Sequence, residues 1–86
     1  MINVYNQNDY VNVDPKPAIV FEVIDKDGDL MYWCADNAEE LLDWWKNEDF
    51  DGPSDDDQVV SFTINNVTRN GNDMSFDDIV EAYIEQ

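Results

Sequence analysis

The chain has 86 residues, 21 of them acidic against Lys16, Lys26, Lys46 and Arg69, for a formal net charge of −17. Hydrophobic residues make up 43% and aromatics 13%, enough for the core of one small domain, which sets the chain apart from acidic disordered tails. Such a charge repels nucleic acid and anionic membrane surfaces, and it points to a basic protein as the partner.

The other exclusions come from single residue types. There is no histidine, which removes the commonest general base and metal ligand. Cys34 is the lone cysteine, so no disulfide can form within the chain. No charged-then-apolar leader and no apolar run of membrane-spanning length is present, and the expectation is a cytoplasmic protein. The Asn66-Val67-Thr68 sequon is then a chance match.

In chain order, residues 1–17 are polar and Asn-rich, an irregular segment or an edge strand around Tyr10–Val13, closed by Pro15 and Pro17. Ala18–Ile24 and Leu30–Ala35 flank Asp25-Lys26-Asp27-Gly28-Asp29, and Asp-Gly between apolar runs predicts a hairpin, with Asp27-Gly28 as a two-residue loop. The pairing expected sets Phe21 opposite Trp33, Val23 opposite Met31 and Ile19 opposite Ala35 on the core face. The other face carries Val20, Glu22, Ile24, Leu30, Tyr32 and Cys34, apolar enough to need partial cover.

Asp36-Asn37-Ala38-Glu39 reads as a capping box opening a helix, with Ala38, Leu41, Leu42 and Trp45 inward and Trp44 at the stripe's edge. The helix stops before Asp51-Gly52-Pro53, inside an acidic loop over 47–58. Val59–Asn65 predicts a third strand with Val60, Phe62 and Ile64 inward, and Asn70-Gly71-Asn72 a turn. Ser75 caps a last helix whose stripe is Phe76, Ile79, Val80, Tyr83 and Ile84, with Met74 and Ile79 as a hydrophobic staple. The expected fold is one α+β domain over 1–86: two helices on a three- to four-stranded, mainly antiparallel sheet, in the order (β)ββαβα.

No motif for catalysis or a cofactor stands out, and the reading is a non-enzymatic protein. Asp25-Lys26-Asp27-Gly28-Asp29 resembles the start of an EF-hand loop, but Leu30 stands where glycine is required and Asp36 where a glutamate is expected. An aspartate-rich turn is the better reading, with no metal. Cys34 has no histidine to activate it and reads as a packed strand residue. Paired carboxylates occur throughout, so none singles itself out as a catalytic dyad.

What remains is the acid distribution. From Asp36 to Asp57 there are ten acids and one lysine. Carboxylates three or four apart on a helix lie roughly 5–6 Å from each other, and a duplex carries a charge about every 1.7 Å of axis. An ordered array of acids can therefore approximate a row of phosphates. Against this stands a merely solubilising surface, although such surfaces ordinarily mix both signs. The candidate partner-binding residues are Asp36, Glu39, Glu40, Asp43, Trp44, Glu48, Asp49, Asp51, Asp55, Asp56, Asp57, Asp77, Asp78 and Glu81, with Trp44 an apolar anchor or a cover for the sheet edge. Tyr5 and Tyr10 are further anchor candidates.

In length, charge and the acids of 36–57 and 77–85, the chain resembles the small acidic nucleic-acid mimics of phages and mobile elements, such as anti-CRISPR and anti-restriction proteins. That class has no shared fold or motif. The resemblance implies a stoichiometric inhibitor that occupies the basic channel of a nuclease or another DNA- or RNA-binding protein. An acidic adaptor or immunity-type partner of one basic protein, and a salt-adapted structural domain, are the rival expectations.

Overall fold

The computed structural model describes residues 2–47, 52, 53 and 56–85. Their elements are β1 (Asn3–Asn6), α1 (Gln7–Tyr10), β2 (Ile19–Ile24), β3 (Leu30–Ala35), α2 (Ala38–Trp45), β4 (Gln58–Ile64), β5 (Val67–Asn70) and α3 (Phe76–Ile79). A π-helical turn, Val80–Ile84, continues α3. One antiparallel sheet has the order β1-β3-β2-β4-β5. The α+β class is as expected, but the described residues form a sheet of five strands and three helices. The expected N-terminal edge strand is present as β1, the added strand is β5, and the added helix is the single turn α1.

The central hairpin pairs as expected, with Phe21 opposite Trp33, Val23 opposite Met31 and Ile19 opposite Ala35. Its loop is one residue longer than Asp27-Gly28 alone. Ile24 pairs with Leu30 and Asp25 N–H bonds the Asp29 carbonyl, which leaves Lys26-Asp27-Gly28 as a three-residue loop. Gly28 supplies the left-handed position at φ 86°. The Asp25 carboxylate accepts from the backbone N–H groups of Asp27 and Asp29, both at 2.9 Å. The first acid of the calcium-like run therefore stabilises the turn.

Strand β4 departs from the expected alternation. Glu22 pairs with Ser61 but Val23 pairs with Val59, so Val60 is the extra residue of a β-bulge. The bulge shifts the phase. Val59 and Phe62 are buried, whereas Val60, expected inward, is only half-buried. Asn65 and Asn66, both at positive φ, make a two-residue turn into β5, a strand not anticipated from the sequence. The expected turn at Asn70-Gly71-Asn72 begins at the end of β5, and Asn72 and Asp73 both have positive φ.

The N-terminal strand also lies elsewhere than expected. It is Asn3–Asn6, while Tyr10 belongs to α1, capped by Asn6. Apolar content around Tyr10–Val13 suggested a strand, but Asn6 offers its side chain to Asp9 N–H and starts a helical turn. Tyr10 then stacks on Tyr32, centroids 4.1 Å apart, and partly covers the second sheet face.

The core lies between the sheet and the layer of α2 and α3. It holds Ile19, Phe21, Val23, Ala35, Leu41, Val59, Phe62, Phe76, Ile79 and Val80. Phe21 is its centre, with its ring 4.7 Å from Phe76 and 6.1 Å from Phe62.

Candidate interaction surface

Two short helices carry most of the described candidate residues. In α2 the N-cap is Asn37, one residue later than the expected Asp36, and its side chain accepts from Glu40 N–H at 2.8 Å. Asn37 and Glu40 then hold the cap and N3 positions that had been expected for Asp36 and Glu39. Ala38, expected inward, is exposed, and Leu41 is the buried residue of the helix. Glu39 and Glu40 occupy the first turn, where the positive end of the helix dipole favours them. Asp36, Glu39 and Asp43 are exposed, and Glu40 is half-buried.

Helix α3 begins at the Ser75 N-cap, whose hydroxyl accepts from Asp78 N–H at 3.2 Å. Asp77 and Asp78 fill its first turn, and Glu81 follows, all exposed. Phe76, Ile79 and Val80 turn inward. Met74 packs against the same core as Ile79, as the staple requires.

Three contacts lock the helices side by side. The Trp45 indole donates to Asp77 Oδ1 at 2.7 Å. Lys46 Nζ lies 3.0 Å from Glu85 Oε2. Trp44 packs edge-on to Phe76, centroids 5.8 Å apart, and stacks on Trp33 at 5.7 Å. Two acid clusters distant in sequence thus share one layer: Asp36, Glu39 and Asp43 with Asp77, Asp78 and Glu81. Lys46, the one lysine among them, is engaged by a carboxylate.

Trp44 is half-buried between Trp33 and Phe76, so it covers the core. Asp56 and Asp57 line a recess of about 220 Å³ with Gln58, Asp73, Met74 and Ser75, beside the start of α3. Among the described residues no group of three or more potential ligands is arranged to hold a metal ion. Glu48, Asp49, Asp51 and Asp55 lie outside the described residues.

The second sheet face holds what the sequence did not arrange. Tyr10 and Tyr32 stack there, and Lys16 Nζ sits 4.3 Å above the Tyr10 ring. Burial pushes both tyrosine hydroxyls above their ordinary range. Tyr10 is therefore committed to packing, and Tyr5 is half-buried on the same face, opposite Tyr32. Ser61 Oγ donates to Glu22 at 3.2 Å across the strands. Cys34 is buried, and that burial, with Lys16 opposing and Asp36 adding, pushes its thiol up to about 11. A thiol held neutral is a packing group.

No helix among the described residues is long and apolar enough to cross a membrane. No protein-family model, curated protein or solved structure matches the chain.

Proposed function

We propose that this chain is an acidic, protein-binding inhibitor whose carboxylates occupy the cationic nucleic-acid channel of a nuclease or another DNA- or RNA-binding protein. This is the action implied by the chain's resemblance to the acidic nucleic-acid mimics of phages, and the same setting implies action in the host cytoplasm, without catalysis or a cofactor. The observation that carries the reading is the side-by-side packing of α2 and α3, tied by Trp45 and Asp77. It gathers acids from two distant segments onto one folded layer. Carboxylates held by a scaffold lose less entropy on binding than those of a mobile tail, so fixed placement favours a specific cationic groove.

The test is capture of basic proteins from a host lysate at low ionic strength, followed by competition. A nucleic-acid-binding partner, released by excess DNA or RNA and lost steeply between about 50 and 200 mM salt, is the expected result. Lysine at Glu39, Asp43 and Glu81 together should abolish capture without unfolding the chain. A basic partner that stays bound while nucleic acid binds alongside it would instead mark an adaptor. Retention of no basic protein would leave only a solubilising surface.

A further inference from the structure

The acids are not evenly spread. No Asp or Glu stands between Asp57 and Asp73, so Arg69 is the single charged residue of β4, the Asn65-Asn66 turn and β5. Strand β5 is an edge of the sheet, and all four of its residues are exposed. Ladder geometry decides which of its backbone groups are open. Ile64 and Val67 flank a two-residue turn and pair with Phe62–Arg69 as alternate rungs, and Gly71 N–H donates to the Val60 carbonyl at 3.0 Å as the next one. Val67 and Arg69 therefore point their backbone groups into β4, and Thr68 and Asn70 point theirs outward.

Proteins ordinarily guard such an edge with charge, proline or a covering segment. Here a chain rich in acids places none on β5. The Arg69 guanidinium lies over the Tyr83 ring, 5.1 Å from its centroid. Val67 and Tyr83 stay 49% and 37% exposed, so open backbone groups stand beside an apolar margin.

We propose that β5 is a self-association edge at which a second copy of the chain pairs antiparallel, across a two-fold axis centred on Thr68. Charge selects this occupant. Two copies of net charge −17 repel wherever their helical layers approach, and an acid-free strip is a place where they can meet. A basic partner is drawn to the acids instead. The register follows from the same logic. Centring on Thr68 lets the outward N–H and C=O of the two Thr68 residues bond each other and sets Arg69 against Val67 of the second copy. Centring on Arg69 would oppose two guanidiniums directly, which is unfavourable. The Thr63–Thr68 hydroxyl pair, 2.8 Å apart, lies on the second sheet face and would meet its equivalent there. Two five-stranded sheets become one of ten strands. The contact is short, so the dimer is weak and concentration-dependent.

Sedimentation equilibrium of the full chain tests this at micromolar to millimolar concentration, in low and high NaCl. A monomer–dimer equilibrium that tightens with salt is expected, because screening removes the repulsion between copies. That is the opposite sign to capture of a basic protein, so the two readings fail separately. Thr68→Pro removes an N–H that the β4 ladder does not use and should weaken dimerisation by about tenfold or more with an unchanged circular dichroism spectrum. Val67→Asp, which leaves the backbone intact, should do the same. A monomer at millimolar concentration in high salt overturns the proposal, as does dimerisation unchanged in both variants. So does open-ended assembly abolished by Val4→Pro, which would mean that β1 pairs with β5 of the next copy.

Discussion

Trp45 and Asp77, 32 residues apart in sequence, meet through a 2.7 Å hydrogen bond from the indole Nε1–H to a carboxylate oxygen. Together with Trp44 on Phe76, it sets the spacing of the two acidic helices. The charged acceptor makes this bond stronger than a neutral one, and its exposure weakens it again. Trp45→Phe should cost about 1 kcal/mol in urea unfolding. Asp77→Asn should cost less, and the double variant should be no worse than Trp45→Phe alone. Strict additivity of the two single effects would show that the bond contributes nothing.

Trp44 should behave differently from its neighbour. Its ring lies against Trp33 and Phe76 at the border of the core. Trp44→Ala should cost about 3 kcal/mol, within the range for large aromatic truncations. Trp44→Phe should retain most of the stability. If Trp44→Ala unfolds at the same urea midpoint as the native chain, the residue is a free surface anchor and not a structural cover.

How far the sequence led depends on how local each signal was. The Asp-Gly signal located the hairpin, and the apolar alternation of the runs beside it gave the pairing. A loop of Asp27-Gly28 alone does not fit that pairing, since it would set Phe21 opposite Cys34; the observed register needs Lys26-Asp27-Gly28, a turn that the Asp25 carboxylate holds through Asp27 and Asp29. β5 was missed because Val67-Thr68-Arg69-Asn70 offers one apolar residue in four. Asn65-Asn66 was the available signal, as Asn tolerates the positive φ that tight hairpins demand. The inward phase at Val59 and Val60 could not be read, because a bulge is decided by the partner strand. In the candidate surface, the acids and both helices were legible in advance. Their convergence was not, since it depends on the Trp45–Asp77 contact between elements distant in sequence.

Two glycines separate conformational from steric demands. Gly28 has φ 86°, and nothing lies within 4 Å of where a Cβ would stand. Gly28→Ala should therefore cost only about 1–2 kcal/mol, the backbone penalty of a left-handed L-residue. At Gly71 the same methyl would fall 1.9 Å from the Val59 carbonyl oxygen, next to the bulge. Gly71→Ala should cost more than about 3 kcal/mol, because backbone must move to admit it. Thermal melts of the two variants check the order, and equal losses would contradict the close approach of Gly71 to β4.

The buried thiol makes a pH prediction with a definite sign. Cys34 is raised from 9.0 to about 11 by burial, so the folded chain holds this proton more tightly than the unfolded chain does. Its contribution is fully present below about pH 9 and is lost as pH rises towards 11. Tyr10 and Tyr32 are shifted upward as well and add to the decline above pH 10. Urea midpoints at pH 8 and 10.5 should differ, and by less in Cys34→Ala. A thiol reagent at pH 8 should label the native chain slowly and the unfolded chain quickly. Rapid native labelling would place Cys34 at the surface.

The last prediction concerns salt, where two electrostatic effects compete. Screening weakens the Lys46–Glu85 pair, but both side chains are largely exposed, and such pairs contribute between about 0 and 1 kcal/mol. Against this stands the mutual repulsion of 21 acids opposed by four bases, within a body of 30 × 28 × 26 Å. The screening length is roughly 30 Å at about 10 mM salt and roughly 10 Å at about 0.1 M. At the lower concentration the carboxylates repel across the whole molecule, and at the higher one only near neighbours do. Repulsion should therefore dominate, and the urea midpoint should rise with NaCl while the slope of the transition stays the same. Lysine at Glu39, Asp43 and Glu81 should raise the low-salt midpoint and flatten its dependence on salt. A midpoint that falls as NaCl rises would mean that attractive pairs outweigh the excess of negative charge, and the acids would then form internal networks instead of an open array.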